Sequence, residues 1–236
     1  MIHPLKEKII NLAQKEILVM KKTILFSGLV IGLLATSCGE PDIADKEDAK
    51  LEVKEIENCI YDFNPDKTNL DWTAYKFIRK AGVNGTFTTF QVDGKTKGAV
   101  PKAIIESLSF TIPTSTVETN DLSRNKKIDS LFFDGLENTA LITGNVVSLG
   151  DNGKATILIK MNEIEKEVVG DYTLEDNKFT FDTEISVNDW NAQEQLKSLN
   201  IACEDLHTDV ENGDTESKLW PDVTISFSTE LTKVCD

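Results

Sequence analysis

Trp220 to Leu231 reads W-P-D-V-T-I-S-F-S-T-E-L. Within it Val223, Ile225, Phe227 and Leu231 alternate with Thr224, Ser226, Ser228 and Glu230. Successive side chains of a strand leave on opposite faces, so this period of two gives one apolar face and one wet face. Phe179, Phe181, Ile185 and Val187 alternate in the same way with Thr180, Asp182, Glu184 and Ser186. Sheet wetted on one side fits antiparallel pairing. Strands are expected near 69–79, 85–92, 103–112, 139–149, 154–163, 167–175, 178–187 and 222–234. Turn residues separate several of them, at Asp93-Gly94, Asp151-Asn152-Gly153 and Glu175-Asp176-Asn177. Eight such strands predict an all-β fold, an eight-stranded antiparallel barrel, because closure removes the exposed edges. A barrel of that size either fills its interior or holds one small ligand, and the pattern leaves both open.

Two stretches interrupt the strands. From Ser107 to Gly144 a strand carrying Leu108, Phe110 and Ile112 stops at Pro113, and a polar run follows. Ile128, Leu131, Phe132 and Phe133 then arrive together in a short helical segment ended by Gly135, before a return strand near Thr139. This reads as a lid. Adjacent residues of a helical segment point in different directions, so one phenylalanine is expected toward the core and the other toward a mouth. Farther on, Asn188 or Asp189 caps an expected helix with Ala192, Leu196, Leu199, Cys203 and Leu206 on one face.

The chain has 236 residues, enough for one all-β domain and a leader. Its net charge of -15 argues against nucleic acid, whose phosphates need a cationic surface. Residues 1–37 read as a leader, with a possible true start at Met20. Lys21 and Lys22 precede an apolar run from Thr23 to Leu34, too short to span a bilayer comfortably, and Ala35, Thr36 and Ser37 lead into Cys38. The pattern resembles a bacterial lipoprotein signal, which implies lipidation at Cys38, a membrane anchor and a place in the cell envelope facing periplasm or exterior. An ordinary secretory signal, or an anchor left uncut, is the alternative. Residues 38–58 read as an acidic tether: Gly39 to Asn58 holds eight Asp or Glu and three Lys, too polar to fold alone, with a short helix across Lys46 to Ile56 as the alternative. Residues 59–236 form the barrel domain.

Three segments of that domain resemble the YceI-like family. They are D-W-T-A-Y-K at Asp71 to Lys76 with V-N-G-T-F-T-T-F at Val83 to Phe90, the lid, and W-P-D-V-T-I-S-F-S at Trp220 to Ser228. In the lid the matching positions are Thr116, Thr119, Arg124, Ile128, Ser130, Phe132, Phe133 and Asp134. The resemblance implies a lipocalin-like barrel that binds a long polyisoprenoid-type lipid. The chain departs from the family's pattern with Asn125 in place of an aspartate, Lys127 in place of a histidine, and Asn138-Thr139 in place of tyrosine-proline. The hairpin from Ile159 to Lys166 lacks the family's glycine.

Trp72, Phe87, Phe110, Phe132, Phe133, Phe179, Phe181 and Phe227 are the candidate ligand contacts, each of which can equally be a core residue. Arg124 closes a buried pair with a carboxylate, holds a ligand head group, or stands as an exposed charge on a loop. Cys59 and Cys235 flank the first and last strands, which lie side by side in an even-stranded antiparallel barrel, so a disulfide is expected there. Cys203 is expected as a buried thiol, and with His207 it supplies only half a metal site. His207 is also the domain's only imidazole, so no metal, catalytic residue or cofactor is expected beyond a bound isoprenoid lipid. The expected function is a lipoprotein that binds or carries a long apolar lipid, a polyisoprenoid or isoprenoid quinone. The alternative is a non-enzymatic interaction module with a filled barrel, whose protein partner the residues do not name.

Overall fold

The alternating segments form strands in a computed structural model that describes residues 58–236. The leader, Cys38 and the tether as far as Glu57 lie outside the described residues. In chain order the strands are β1 (Cys59–Asp62), β2 (Thr68–Lys76), β3 (Ala81–Phe87), β4 (Gln91–Asp93), β5 (Lys97–Gly98), β6 (Ser109–Pro113) and β7 (Val117–Glu118). They continue with β8 (Leu141–Leu149), β9 (Lys154–Met161), β10 (Ile164–Glu175), β11 (Lys178–Ser186), β12 (Leu219–Glu230) and β13 (Thr232–Cys235). The helices are α1 (Pro101–Ile105), α2 (Leu122–Ile128) and α3 (Gln193–Ala202).

Ten strands make one curled antiparallel sheet in the order β4-β6-β8-β9-β10-β11-β12-β2-β3-β7. Eight were expected; the count rises because the strand expected near 85–92 is broken into β3 and β4, and because the polar run after Pro113 contributes the short strand β7. β3 pairs with β7, and β4, three residues beyond β3, pairs with β6. Between them the Thr88 N–H donates to Thr116 O at 2.9 Å, and Thr116 Oγ1 donates to Thr89 O at 3.2 Å. The ends of the sheet order therefore meet on one bent strand pair, and few sheet-edge groups are left open.

Two further expectations are corrected. The run expected as a strand near 103–112 opens as α1, and β6 starts only at Ser109. Pro101 occupies the first helical turn, where its missing N–H costs no bond. Ile104 and Ile105 are then fully buried, closing one end of the barrel with Phe179, Phe181 and Leu231. The expected strand 222–234 breaks at Leu231, whose N–H donates to Asn177 O and whose carbonyl accepts from Asn177 Nδ2. Beyond that break β13 leaves the large sheet and pairs with β1, which also pairs with β5. Cys59 lies opposite Cys235 in this register, and the two form a disulfide.

The opposite end is closed by a second core of Val117, Phe132, Phe133, Leu136, Met161, Val187 and Trp190. The expected cap at Asn188 or Asp189 is not formed. A 3-10 turn runs from Val187 to Trp190, Asn191 turns left-handed at φ 56°, and α3 starts at Gln193. Trp190 decides this local course: it is 1% exposed, and its Nε1 donates to Ile159 O. At the same end the β9–β10 hairpin turns on Asn162 and Glu163, with φ of 51° and 57°. Positive φ at both central residues gives the turn that matches strand twist, so the hairpin closes without a glycine.

Candidate functional site

Between the two packed ends the barrel is hollow. An outer cavity of about 310 Å³ opens at the end closed by Phe132, Phe133 and α3. An inner cavity of about 160 Å³ lies toward α1. Trp72, Phe87, Ile142, Met161, Ile185 and Ile225 line both, so the two are neighbouring compartments of one interior. The outer compartment alone reaches the low end of the ~300–1,000 Å³ usual for small-molecule sites. The inner one is apolar apart from Ser109 and Thr183. Nearly every residue of β12 is only half-buried, inward-facing ones included, because they border empty space rather than packed atoms.

The nine candidate positions distribute over these walls. Trp72 and Phe87 face both compartments. Phe110, Phe179, Phe181 and Phe227 line the inner one, and Arg124, Phe132 and Phe133 the outer one. Phe179 and Phe181 also belong to the core that closes the α1 end. The two lid phenylalanines do not diverge as expected. Both are buried, both line the outer cavity, and their rings meet edge to face at 5.2 Å. The cause is a π-helical turn from Asp129 to Phe133, in which the Asp134 N–H reaches back to Asp129 O. A widened turn shifts the angle between neighbouring side chains.

Three strand glycines make room for these rings. Gly85 lies opposite Trp72 and Gly144 opposite Phe110, while Gly170 faces Phe181 across β10 and β11. A Cβ on Gly144 would stand 2.2 Å from Leu158 O and 2.4 Å from Phe110 Cζ. Gly144→Ala is therefore expected to lower stability by about 1–3 kcal/mol, the usual range for overpacking. Gly98→Ala, whose added carbon would meet nothing nearer than 3.7 Å, is the control. Equal urea midpoints for the two variants would contradict this account.

The mouth of the outer cavity differs in chemistry from its walls. Lys76, Arg124, Lys127 and His207 line it, with Asp121 as the one carboxylate. Arg124 Nη2 lies 3.6 Å from Asp121 Oδ2, a half-exposed pair rather than a buried one. Lys76 Nζ donates to Leu206 O at 2.9 Å. Burial, then the charges of Lys76, Lys127 and Arg124, push the His207 pKa down to about 4. Asn200 Nδ2 donates to Ser217, which turns Asn200 Oδ1 toward His207 Nδ1 at 2.9 Å. The imidazole is thus neutral, carries its proton on Nδ1, and keeps Nε2 as an acceptor. Its partner is an amide, not a carboxylate. Cys203 is buried, and among the described residues no group of three or more His, Cys, Asp or Glu gathers to hold a metal.

Asn125, the departure from an acidic position, still accepts from both the N–H and the hydroxyl of Thr119, through Oδ1 at 2.9 and 2.7 Å. An amide oxygen serves where a carboxylate would, without adding charge. Lys76, Lys127 and His207 were absent from the expected contacts because they come from three separate elements. Ile185 and Ile225 were legible, since they lie on the same alternating face as the chosen rings.

The YceI-like domain family matches residues 61–231. Among solved structures the fold resembles a polyisoprenoid binding domain from Saccharophagus degradans implicated in plant cell wall breakdown. That likeness has a TM-score of 0.50 and 11% identity, and covers 76% of this chain and 99% of that one. BcnA of Burkholderia cenocepacia aligns over 73% of this chain and 99% of its own at 14% identity, with a TM-score of 0.49. The YceI protein of Campylobacter jejuni aligns over 68% and 89% at 16% identity, with a TM-score of 0.43. No curated protein matches the chain.

Proposed function

The chain belongs to the YceI-like domain family, and from that premise we propose that it binds a long apolar lipid, of polyisoprenoid or isoprenoid-quinone type, inside its barrel. The observation that carries this reading is the pair of adjoining apolar compartments, about 310 and 160 Å³, behind a single lid. A filled barrel, as an interaction module requires, would leave no such volume. Each methylene moved from water onto these walls contributes roughly 0.8 kcal/mol, so affinity grows with chain length rather than with polar contacts. The polyisoprenoid binding named for the Saccharophagus degradans domain accords with this chemistry.

The leader adds a location to the proposal. Lipidation at Cys38 anchors the protein to a membrane of a bacterial cell envelope. Mass spectrometry of the protein purified from its own cells tests both parts. The native spectrum is expected to carry a non-covalent adduct of long-hydrocarbon mass, and the denatured spectrum a covalent acyl addition at Cys38. A barrel that is empty and also refuses quinones and polyprenols in titration defeats the binding reading. An unmodified Cys38 defeats the anchor.

A further inference from the structure

We propose that the mouth of the outer cavity is a head-group site that selects amphiphiles with an anionic head, a phosphate or a carboxylate, over neutral molecules bearing the same hydrocarbon chain. The proposal rests on the binding reading above and narrows its ligand class.

Its basis is a local reversal of charge. The chain holds 40 Asp and Glu against 25 Lys and Arg. At the mouth the balance inverts: Lys76 from the end of β2 meets Arg124 and Lys127 from α2, with Asp121 the one carboxylate in the lining and Asp209, outside it, the one that acts on Lys76. Asp121 engages Arg124 across 3.6 Å at the surface, where such a pair contributes little. Lys127 has no ion pair among the described residues. Gathering like charges at a partly desolvated opening is unfavourable unless something neutralises them. Burial first, then the nearby Arg124, lower the Lys76 pKa, while Asp209 pulls it the other way.

An anion placed among these groups relieves the repulsion and gains charge-assisted hydrogen bonds, stronger than neutral ones. A hydroxyl or quinone oxygen relieves nothing. The same cavity continues along Leu196, Leu199 and Phe133, so a chain attached to that anion stays in apolar surroundings while its head remains at the wet rim. Neutral His207 offers Nε2 to a protonated phosphate oxygen, which a carboxylate lacks.

The test uses the purified full chain and displacement of a fluorescent apolar probe. Farnesyl phosphate, farnesol and farnesylamine share one chain; hexadecanoate and hexadecanol share another; inorganic phosphate has none. Farnesyl phosphate is expected to bind at least about tenfold tighter than farnesol, equivalent to 1.4 kcal/mol. Farnesylamine should bind weakest, and inorganic phosphate should not displace the probe. The two anionic arms tell phosphate from carboxylate. In Arg124→Gln/Lys127→Gln the ratio of phosphate to alcohol affinity should fall to within about twofold of one. In Arg124→Glu/Lys127→Glu the order should reverse in favour of the amine, an outcome that misfolding cannot imitate. Equal binding of phosphate and alcohol, or a preference that survives these substitutions, overturns the head-group site and leaves apolar binding standing. Failure of every chain to displace the probe overturns both.

Discussion

Ile142→Trp is expected to cut the binding of long chains by at least about tenfold while short chains still bind. Ile142 lies on β8 and borders both compartments. An indole there projects into open volume rather than into a packed core, so the strain that follows overpacking elsewhere is largely avoided. A chain long enough to need both compartments is then confined to the outer one. Losing a single five-carbon unit forfeits up to about 4 kcal/mol at roughly 0.8 per methylene, close to a thousandfold. Titration with polyprenols of increasing length checks this. Affinity for the native protein should climb with each unit until both compartments fill, and the variant should level off earlier. If the longest polyprenol binds the folded variant as tightly as the native protein, the inner compartment is no part of the site.

Loss of the disulfide should produce the largest fall in stability. Cys59 and Cys235 join positions 176 residues apart. A cross-link that closes so long a loop removes much of the unfolded chain's freedom, and removing such a bond costs about 2–5 kcal/mol. In a domain of this size that amounts to a drop in Tm of roughly 5–20 °C, at about 2–4 °C per kcal/mol. β13 is exposed along its length and pairs with β1 over four residues, while β1 also pairs with β5 and places Tyr61 in the core. Melting Cys59→Ser with and without reductant separates cause from accident. Reductant should lower the native Tm to that of the variant and leave the variant unchanged. A native Tm insensitive to reductant would show that this bond does not stabilise the fold.

The rings and the cations at this site differ in how far the sequence reveals them. Phe179, Phe181 and Phe227 fall on the apolar face of alternating runs, so their inward direction follows from the two-residue period. Phe132 and Phe133 resisted the same logic, because the turn that carries them is π-helical and the ordinary helical angle does not apply. The α1 segment misled for a related reason. A-I-I at Ala103 to Ile105 is apolar without a period, and only its packing against Phe179 and Phe181 selects helix over strand. Gly85 and Gly144 announced nothing in the sequence, since a glycine in a strand acquires meaning from the ring that lies over it.

Alternation of apolar and polar residues by itself determined that this chain forms antiparallel strands with one buried face, because side-chain direction along a strand is a local property. Turn residues likewise marked two of the hairpins, β8–β9 and β10–β11. Three features belonged to the tertiary structure alone: closure through the bent β3–β4 and β6–β7 pair, the space left between two packed ends, and the meeting of Lys76, Arg124 and Lys127 at one opening. Each depends on distances between residues far apart in the chain. Such distances follow from how the strands coil and pack, which no local period encodes.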